Sequence, residues 1–583
     1  MGRPRPLLSR LAIAAGLLLC AGAPVRAGAA DGVAPFGPAR TAGSPTGMVV
    51  AATSQAAAAG AAALSAGGNA VDAAVAAAFA LAVTYPEAGN LAGGGFLVVR
   101  QRDGEVLALD FRETAPAAIR SSSFLGPDGK VVEGASTRTG LAVATPGTVR
   151  GLEAVHRRLG KLPWKSLVAA SARLAREGFP VTAGLAKHLV SERAVFAPHP
   201  ESLRLYFPGG RPLAEGALLV QPELAGTLDA IAERGSDAFH DGPVARRIAE
   251  FVRSEGGGLT AEDLRAYRPV WRKAFSFDFG RWRLHTMPLP SSGGFLLASI
   301  LGQLSRVGWT PAMLETAEGA HLVVEAERRA YAERNRWLGD ADVVDVPLGK
   351  LLAPGHLDVL ARSIDRAKAT PSAGIDGGLG GPAERPETTH LSVATADGEA
   401  VSLTYTLNGV FGNGSIVPGV GVLLNNEMDD FAVAPGRPNL FGLVQGTQNA
   451  VRPGARPLSS MTPLIVLEDG ALRFVLGSPG GSTIPTTVLQ VFLRAGPGGR
   501  PLAEAVAGVR LHHQHLPDVV DVERDFPAGT AKGLRSMGHV VKGREPIGMV
   551  HAVERAPDGL LTGAADPRGP GVPAAPPVRQ APR

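Results

Sequence analysis

The chain changes its hydrophobic period at one point, and that change limits the architectures open to it. From about 146 to 368 apolar residues recur near every 3.6 positions, as in TVRGLEAVHRRLG, SLVAASARLAREGF and AEGAHLVVEAERRAYAERNRWLGD, which predicts mostly helix. Residues 371–386, PSAGIDGGLGGPAERP, form a Gly/Pro/Ala run of the kind that joins elements. From Thr388 on, THLSVATADGEAVSLTYTLN alternates with period two around Asp397-Gly398, and a second hairpin is centred on Asp469-Gly470. Further short strands with one or two helices carry the chain to about 563. Helices first and strands second predict an α+β assembly in which neither part completes the core alone.

The N-terminal third has its own signals. MVVAAT reads as a short strand before an Ala-rich helix that stops at Gly67-Gly68; Asn69 can cap the next helix, AVDAAVAAAFALAV. That helix is apolar on nearly every face, yet it is short and contains Asp72, which favours a buried core helix over a membrane span. GGGFLVVRQRDGEVLALDF predicts a strand pair turning at Asp103-Gly104, and Thr260 with Asp263 has the spacing of a capping box.

Length and composition bound the rest. At 583 residues the chain has room for one large or two ordinary domains, and 45% hydrophobic with 19% charged residues is a globular balance. A net charge of +5, with Lys and Arg scattered among Asp and Glu, argues against a nucleic-acid partner. Residues 1–29, with three Arg, an apolar run and small residues near Ala27 and Ala29, read as a secretory signal. Its Cys20 follows Leu19 where a lipoprotein signal needs a small residue, so lipid anchoring is disfavoured. Cys20 is the only cysteine, so a chain without that segment has no disulfide, thiol nucleophile or Cys-ligated metal; an exported, periplasmic or extracellular protein is expected. The tail from about 566 to 583, rich in Pro and Ala, reads as disordered.

Thr388 is the most suggestive residue. A threonine hydroxyl needs a base beside it, and the chain's own α-amine serves when Thr is the first residue. That requires cutting the Glu387–Thr388 bond, which the Thr388 hydroxyl could itself attack to give an ester that water opens. A three-residue loop Ala396-Asp397-Gly398 would set Thr388 opposite Thr406; a two-residue Asp-Gly loop would pair Thr406 with Thr389. Either register puts Thr406 beside the nucleophile. Taken alone, Thr-Thr-His is also what any strand would use.

Other segments could build a site. LLNNEMDDF (423–431) gathers carboxylates suited to an ammonium or a metal, or simply ends a strand in solvent. Arg112 in DFRETAP could grip a carboxylate with both arms, or pair with Glu113 or Asp110. GSPGGS (477–482) lies between a strand and a helix, where backbone N–H groups can stabilise an oxyanion; it lacks the lysine of a phosphate loop. His512, His513 and His515 invite a zinc reading, but no acidic partner is fixed by spacing and packing is the better account.

In this order, GGNAVDAAVAAAFALAVTYPEAGNLAGGGF, DFRETAP, TPGTVRG, PLPSSGG, TTHLSVATADGEAVSLTYTLN, LLNNEMDDF, RPLSSMTP, GSPGGS, HHQHLPD and GAADPR resemble the gamma-glutamyltransferases, N-terminal-nucleophile hydrolases. The resemblance runs from about 45 to 568. It implies an αββα sandwich built jointly by a large subunit, 30–387, and a small subunit, 388–583, released by self-cleavage and held as a heterodimer. By motif match, Arg112, Ser459 and Ser460 would bind the α-carboxylate of a γ-glutamyl donor, and Asn408, Glu427 and Asp430 its α-ammonium. Gly480 and Gly481 would supply oxyanion N–H groups, and Thr406 would orient Thr388. The implied reaction is ping-pong: Thr388 takes the γ-glutamyl group of glutathione or a similar donor and passes it to water, an amino acid or a peptide. No cofactor or metal is implied, and His390 is not needed as a base.

Two positions depart from the pattern of bacterial relatives. Phe441 stands where their lid often has a tyrosine and cannot donate that residue's hydrogen bond, and Glu427 stands where some carry Gln. A cephalosporin or glutaryl-amide acylase of the same superfamily is the alternative enzyme; an uncleaved, non-catalytic binding homologue is the alternative without chemistry.

Overall fold

The computed structural model describes Gly2 and residues 36–375 and 388–577. The rest of the expected signal, Cys20, Glu387 and the linker from 376 lie outside the described residues. Fourteen strands matter to the site: β1 (Arg40–Ser44), β2 (Gly47–Ala51), β3 (Gly94–Arg100), β4 (Val106–Asp110), β5 (Val270–Lys273), β6 (Phe275–Phe279), β7 (Trp282–Thr286), β8 (Thr389–Thr395), β9 (Ala400–Thr406), β10 (Leu464–Glu468), β11 (Ala471–Gly477), β12 (His551–Arg555), β13 (Leu561–Ala565) and β14 (Val572–Ala574). They form two seven-stranded sheets, ordered β14-β2-β8-β9-β3-β4-β5 and β1-β13-β12-β11-β10-β7-β6. Each sheet mixes strands from before and after Thr388, so both segments are needed to complete either one.

The sheets stack face to face between helices. Leu391, Val393, Val401 and Leu403 of the first sheet point outward to helices α1 (Ser54–Ser65) and α2 (Ala70–Thr84). The opposite face of the same strands, with Met48, Val98, Ala394 and Ala400, meets Ile465, Val475 and Val553 of the second sheet. Helices α3 (Gly293–Arg306), α4 (Ala317–Trp337) and α5 (Ile484–Ala495) cover the far side. This is the expected four-layer αββα sandwich, and burial on both faces explains why every residue of β8 and β9 is buried.

α2 is buried along its whole length, as its uniform apolarity predicts. Its one charge is satisfied: Asn69 Oδ1 accepts from the Val71 and Asp72 N–H groups, and Asp72 accepts from the N–H of Asn69 (2.9 Å), Lys161 (3.0 Å) and Leu162 (3.2 Å). The Thr260–Asp263 capping box also forms. Among the described residues no helix is long and apolar enough to cross a membrane.

Two expectations are corrected. β5–β7 lie inside the stretch whose period predicts helix; that signal belongs to the flanking helices, whereas FSFDF and WRLHT are an aromatic-rich hairpin turning at Gly280. The tail is ordered as far as 577. Asp566 and Arg568 are buried with Arg510 and Glu523 in a network of ion pairs, and β14 adds to the edge of β2. Ion pairing and edge-strand addition hold a segment whose own composition would not.

Candidate active site

The β8–β9 hairpin has the three-residue register. Thr389 pairs with Tyr405 and Ala394 with Ala400, and Gly398 closes the loop at φ +86°, where a side chain would be strained. Thr388 therefore stands opposite Thr406, and its hydroxyl donates to Thr406 Oγ1 across 3.4 Å. Thr406 is itself held: its Oγ1 accepts the Asn408 N–H at 2.8 Å, and its carbonyl accepts Asn90 Nδ2 at 2.9 Å. On its other side it pairs with Gly94 of β3. A Cβ on Gly93 would lie 2.0 Å from the Thr406 carbonyl oxygen, so the glycine run of GGGF lets β3 approach this closely.

His390 is engaged elsewhere. Its Nδ1 and Nε2 are hydrogen-bonded to Thr404 (2.8 Å) and Ser392 (3.0 Å), and burial holds it neutral, with its pKa far below the usual histidine value. It belongs to a polar seam between the sheets, in which Ser392 Oγ donates to the His551 carbonyl (2.9 Å) and His551 Nδ1 meets the His390 carbonyl (2.6 Å).

The charged motifs converge. Segment 427–430 is a short 3₁₀ turn, buried instead of ending in solvent. Asn425 Nδ2 anchors it to the carbonyls of Ala92 and Ala144, and Asn408 Nδ2 donates to the Asn426 carbonyl at 3.0 Å from a left-handed backbone (φ +79°). The turn delivers Glu427 to within 2.5 Å of the Arg112 guanidinium and Asp430 into hydrogen-bond contact with it, while Glu113 lies 3.7 Å away. Arg112 is fully buried, and these carboxylates raise its pKa against the desolvation that would lower it. Its Nε donates to the Pro457 carbonyl, two residues before Ser459 and Ser460. Ser459 is fixed by its N–H to the Pro290 carbonyl (2.8 Å) and by Ser292 Oγ on its own carbonyl (2.8 Å).

The glycine loop leaves β11 close to β8, the strand that Thr388 precedes. A Cβ on Gly477 would meet the His390 ring at 2.2 Å, so the two sheets touch where His390 stands, two residues beyond Thr388. Gly480 (φ +137°) and Gly481 (φ +54°) follow, and Tyr331 Oη, donating to the Ser482 carbonyl at 2.5 Å, pins the turn into α5. A cavity of about 280 Å³ opens against Gly480, with Glu87, His188, Thr483 and Arg544 in its walls. Phe441 packs its ring into the core beneath the second sheet, its carbonyl accepting from Gln514, while neighbouring Asn439 donates to Asp430.

The histidines of HHQHLPD are buried with protein partners: His512 with Thr486 and Gln514, His513 with Asp518, His515 with the Ser372 carbonyl. Among the described residues, His321, Glu325 and His539 bring ligand atoms within 4.8 Å of one another. Those atoms are committed: His321 Nδ1 is bonded to His539 Nε2 (2.7 Å), and Glu325 accepts from Arg328 and Arg329, whose charges oppose a cation.

Sequence reasoning missed the supporting residues. Glu113 was legible only as an ion-pair partner of Arg112; Asn425 and Asn426 sit in the quoted LLNNEMDDF without a role; Asn90 has no spacing signal at all.

A family model described as Gamma-glutamyltranspeptidase matches residues 56–575. The glutathione hydrolase proenzyme of Escherichia coli (strain K12) is 43% identical over 523 residues, covering 90% of this chain and 90% of that protein. The crystal structure of cephalosporin acylase from Bacillus halodurans superposes with a TM-score of 0.81 at 26% identity, over 92% of this chain and 96% of that one. That of Helicobacter pylori gamma-glutamyltranspeptidase does so with 0.54 at 37% identity, over 56% of this chain and 93% of that one.

Proposed function

The chain belongs to the gamma-glutamyltranspeptidase family, and we propose that it is a glutathione hydrolase and γ-glutamyltransferase that cuts itself between Glu387 and Thr388. The observation that carries this reading is the Thr388–Thr406 hydroxyl pair at the start of a buried strand. Once the bond before it is cut, the Thr388 α-amine sits on the same residue as the hydroxyl and takes its proton. The 30–387 and 388–583 segments then remain together as a heterodimer, because both sheets draw strands from each.

In the first half-reaction Thr388 Oγ1 attacks the γ-carbonyl of glutathione, and the N–H groups of Gly480 and Gly481 receive the developing oxyanion. The amine returns the proton to the leaving nitrogen, and a γ-glutamyl ester remains on Thr388. Water, an amino acid or a peptide amine then takes the acyl group. Arg112, with Ser459 and Ser460, receives the donor's α-carboxylate, and Asn408, Glu427 and Asp430 its α-ammonium. Phe441 occupies the lid position of the family pattern and has no hydroxyl to donate; its ring is packed in the core. The 1–29 segment directs export, to a periplasm or the extracellular space.

The Arg112–Glu427–Asp430 cluster favours glutamyl over glutaryl donors, because an acylase of the same fold has no α-ammonium to hold. Cleavage of γ-glutamyl-p-nitroanilide but not glutaryl-p-nitroanilide is the expected result; equal rates on both would overturn the donor assignment.

A further inference from the structure

Three carboxyl groups converge on one buried guanidinium. Glu427 is 2.5 Å from Arg112, Asp430 is in hydrogen-bond contact and Glu113 is 3.7 Å away, all essentially shielded from water. Glu113 lies within hydrogen-bonding reach of Glu427, and Glu427 of Asp430. Glu113 packs closely over Gly94, where a Cβ would be only 2.5 Å from its Oε2.

The neighbouring charges are already spoken for. Tyr267 donates to the Arg112 carbonyl, Arg456 pairs with Asp110 at 3.4 Å, and Arg272 joins Asp110 to Asp342. Arg334 faces Asp430 but bonds Gln445 (2.8 Å), and Asp429 accepts from Ser136 and the Leu440 N–H. The cut N-terminus of Thr388 adds one amine. Full ionisation of all three carboxyls would leave uncompensated negative charge in a dry site, which such groups avoid by sharing a proton. Burial accordingly pushes Glu113 up to about 7 and Glu427 well above the carboxylate range.

We propose that Glu113 and Glu427 hold one proton between them, and that donor binding fixes it on Glu113. The donor's α-ammonium draws the negative charge onto Glu427, and its α-carboxylate, attracted to Arg112, settles beside Glu113 only while Glu113 is a neutral acid. The proton moves from one carboxyl to the other, with none released. Glu113 is thus a determinant of recognition for α-amino acid donors, a role that rests on the donor reading above. When pH rises far enough to ionise both carboxyls, the α-carboxylate must enter against a second anion and binding weakens.

KM for γ-glutamyl-p-nitroanilide is measured from about pH 6 to about pH 8.5, where the donor's own ammonium stays mostly charged because the free carboxylate on the same carbon holds it above an ordinary chain α-amine. The expected result is a rise of roughly tenfold across the alkaline half, following one proton per pH unit, and a flat profile in Glu113→Gln, whose amide is permanently neutral. A second measurement uses the unaltered protein alone: inhibition by L-glutamate weakens over the same range, and inhibition by 4-aminobutanoate, which lacks the α-carboxylate, does not. Cleavage with a flat KM in the unaltered protein, an equal rise in Glu113→Gln, or parallel weakening of both inhibitors overturns the proposal alone. No cleavage at any pH overturns the donor reading, and this inference with it.

Discussion

Thr388 Oγ1 lies 3.4 Å from Thr406 Oγ1, across the rung of the β8–β9 hairpin that the three-residue loop at Gly398 sets. Asn408 and Asn90 fix Thr406 through its hydroxyl and its carbonyl, so the second threonine is a rigid support for the first. Thr406→Val keeps the shape and removes the hydroxyl. Loss of one hydrogen bond of about 1–1.5 kcal/mol predicts roughly tenfold slower p-nitroaniline release. The half-time of self-cleavage, followed on a denaturing gel, should lengthen by a similar factor.

Arg112→Lys keeps the charge and loses the planar fork that reaches Glu427 and Asp430 together. We expect KM for a γ-glutamyl donor to rise at least about tenfold, the equivalent of one charge-assisted hydrogen bond. Arg112→Ala leaves buried carboxylates without a cation, and a stability loss of about 3–5 kcal/mol should appear in urea unfolding.

How far the sequence reaches can be judged at individual residues. The turn at Asp397-Gly398 narrows the hairpin to two registers, both with Thr406 beside Thr388; choosing between them depends on loop length, which propensity does not decide. Arg112, Glu427, Asp430, Ser459, Gly480 and Gly481 stand as separate short motifs in the sequence, each with a plain structural reading, and it was their order that carried the family resemblance. Their convergence around Arg112 is tertiary. Glu113 could not be singled out, because its distinction comes from burial over Gly94. β14 escaped notice because its strand state depends on pairing with β2, at the far end of the chain.

The inter-sheet seam gives a pH prediction. Burial lowers the His551 pKa from 6.5 to about 4, so below 6.5 the unfolded chain binds more protons than the folded one. The stability this histidine contributes is complete above 6.5 and is lost as pH falls through about 4. His551→Asn, which can keep a donor toward the His390 carbonyl, should reduce the acid-side loss by on the order of 3 kcal/mol. Urea midpoints of the two proteins at about pH 7 and about pH 4 measure it.

The most direct test of the central claim is a denaturing gel of the purified protein with N-terminal sequencing of the smaller band. The account predicts two bands, the smaller beginning Thr-Thr-His-Leu-Ser at Thr388, and a single full-length band for Thr388→Ala. A single band from protein that cleaves γ-glutamyl-p-nitroanilide, or a smaller band with any other first residue, would contradict it.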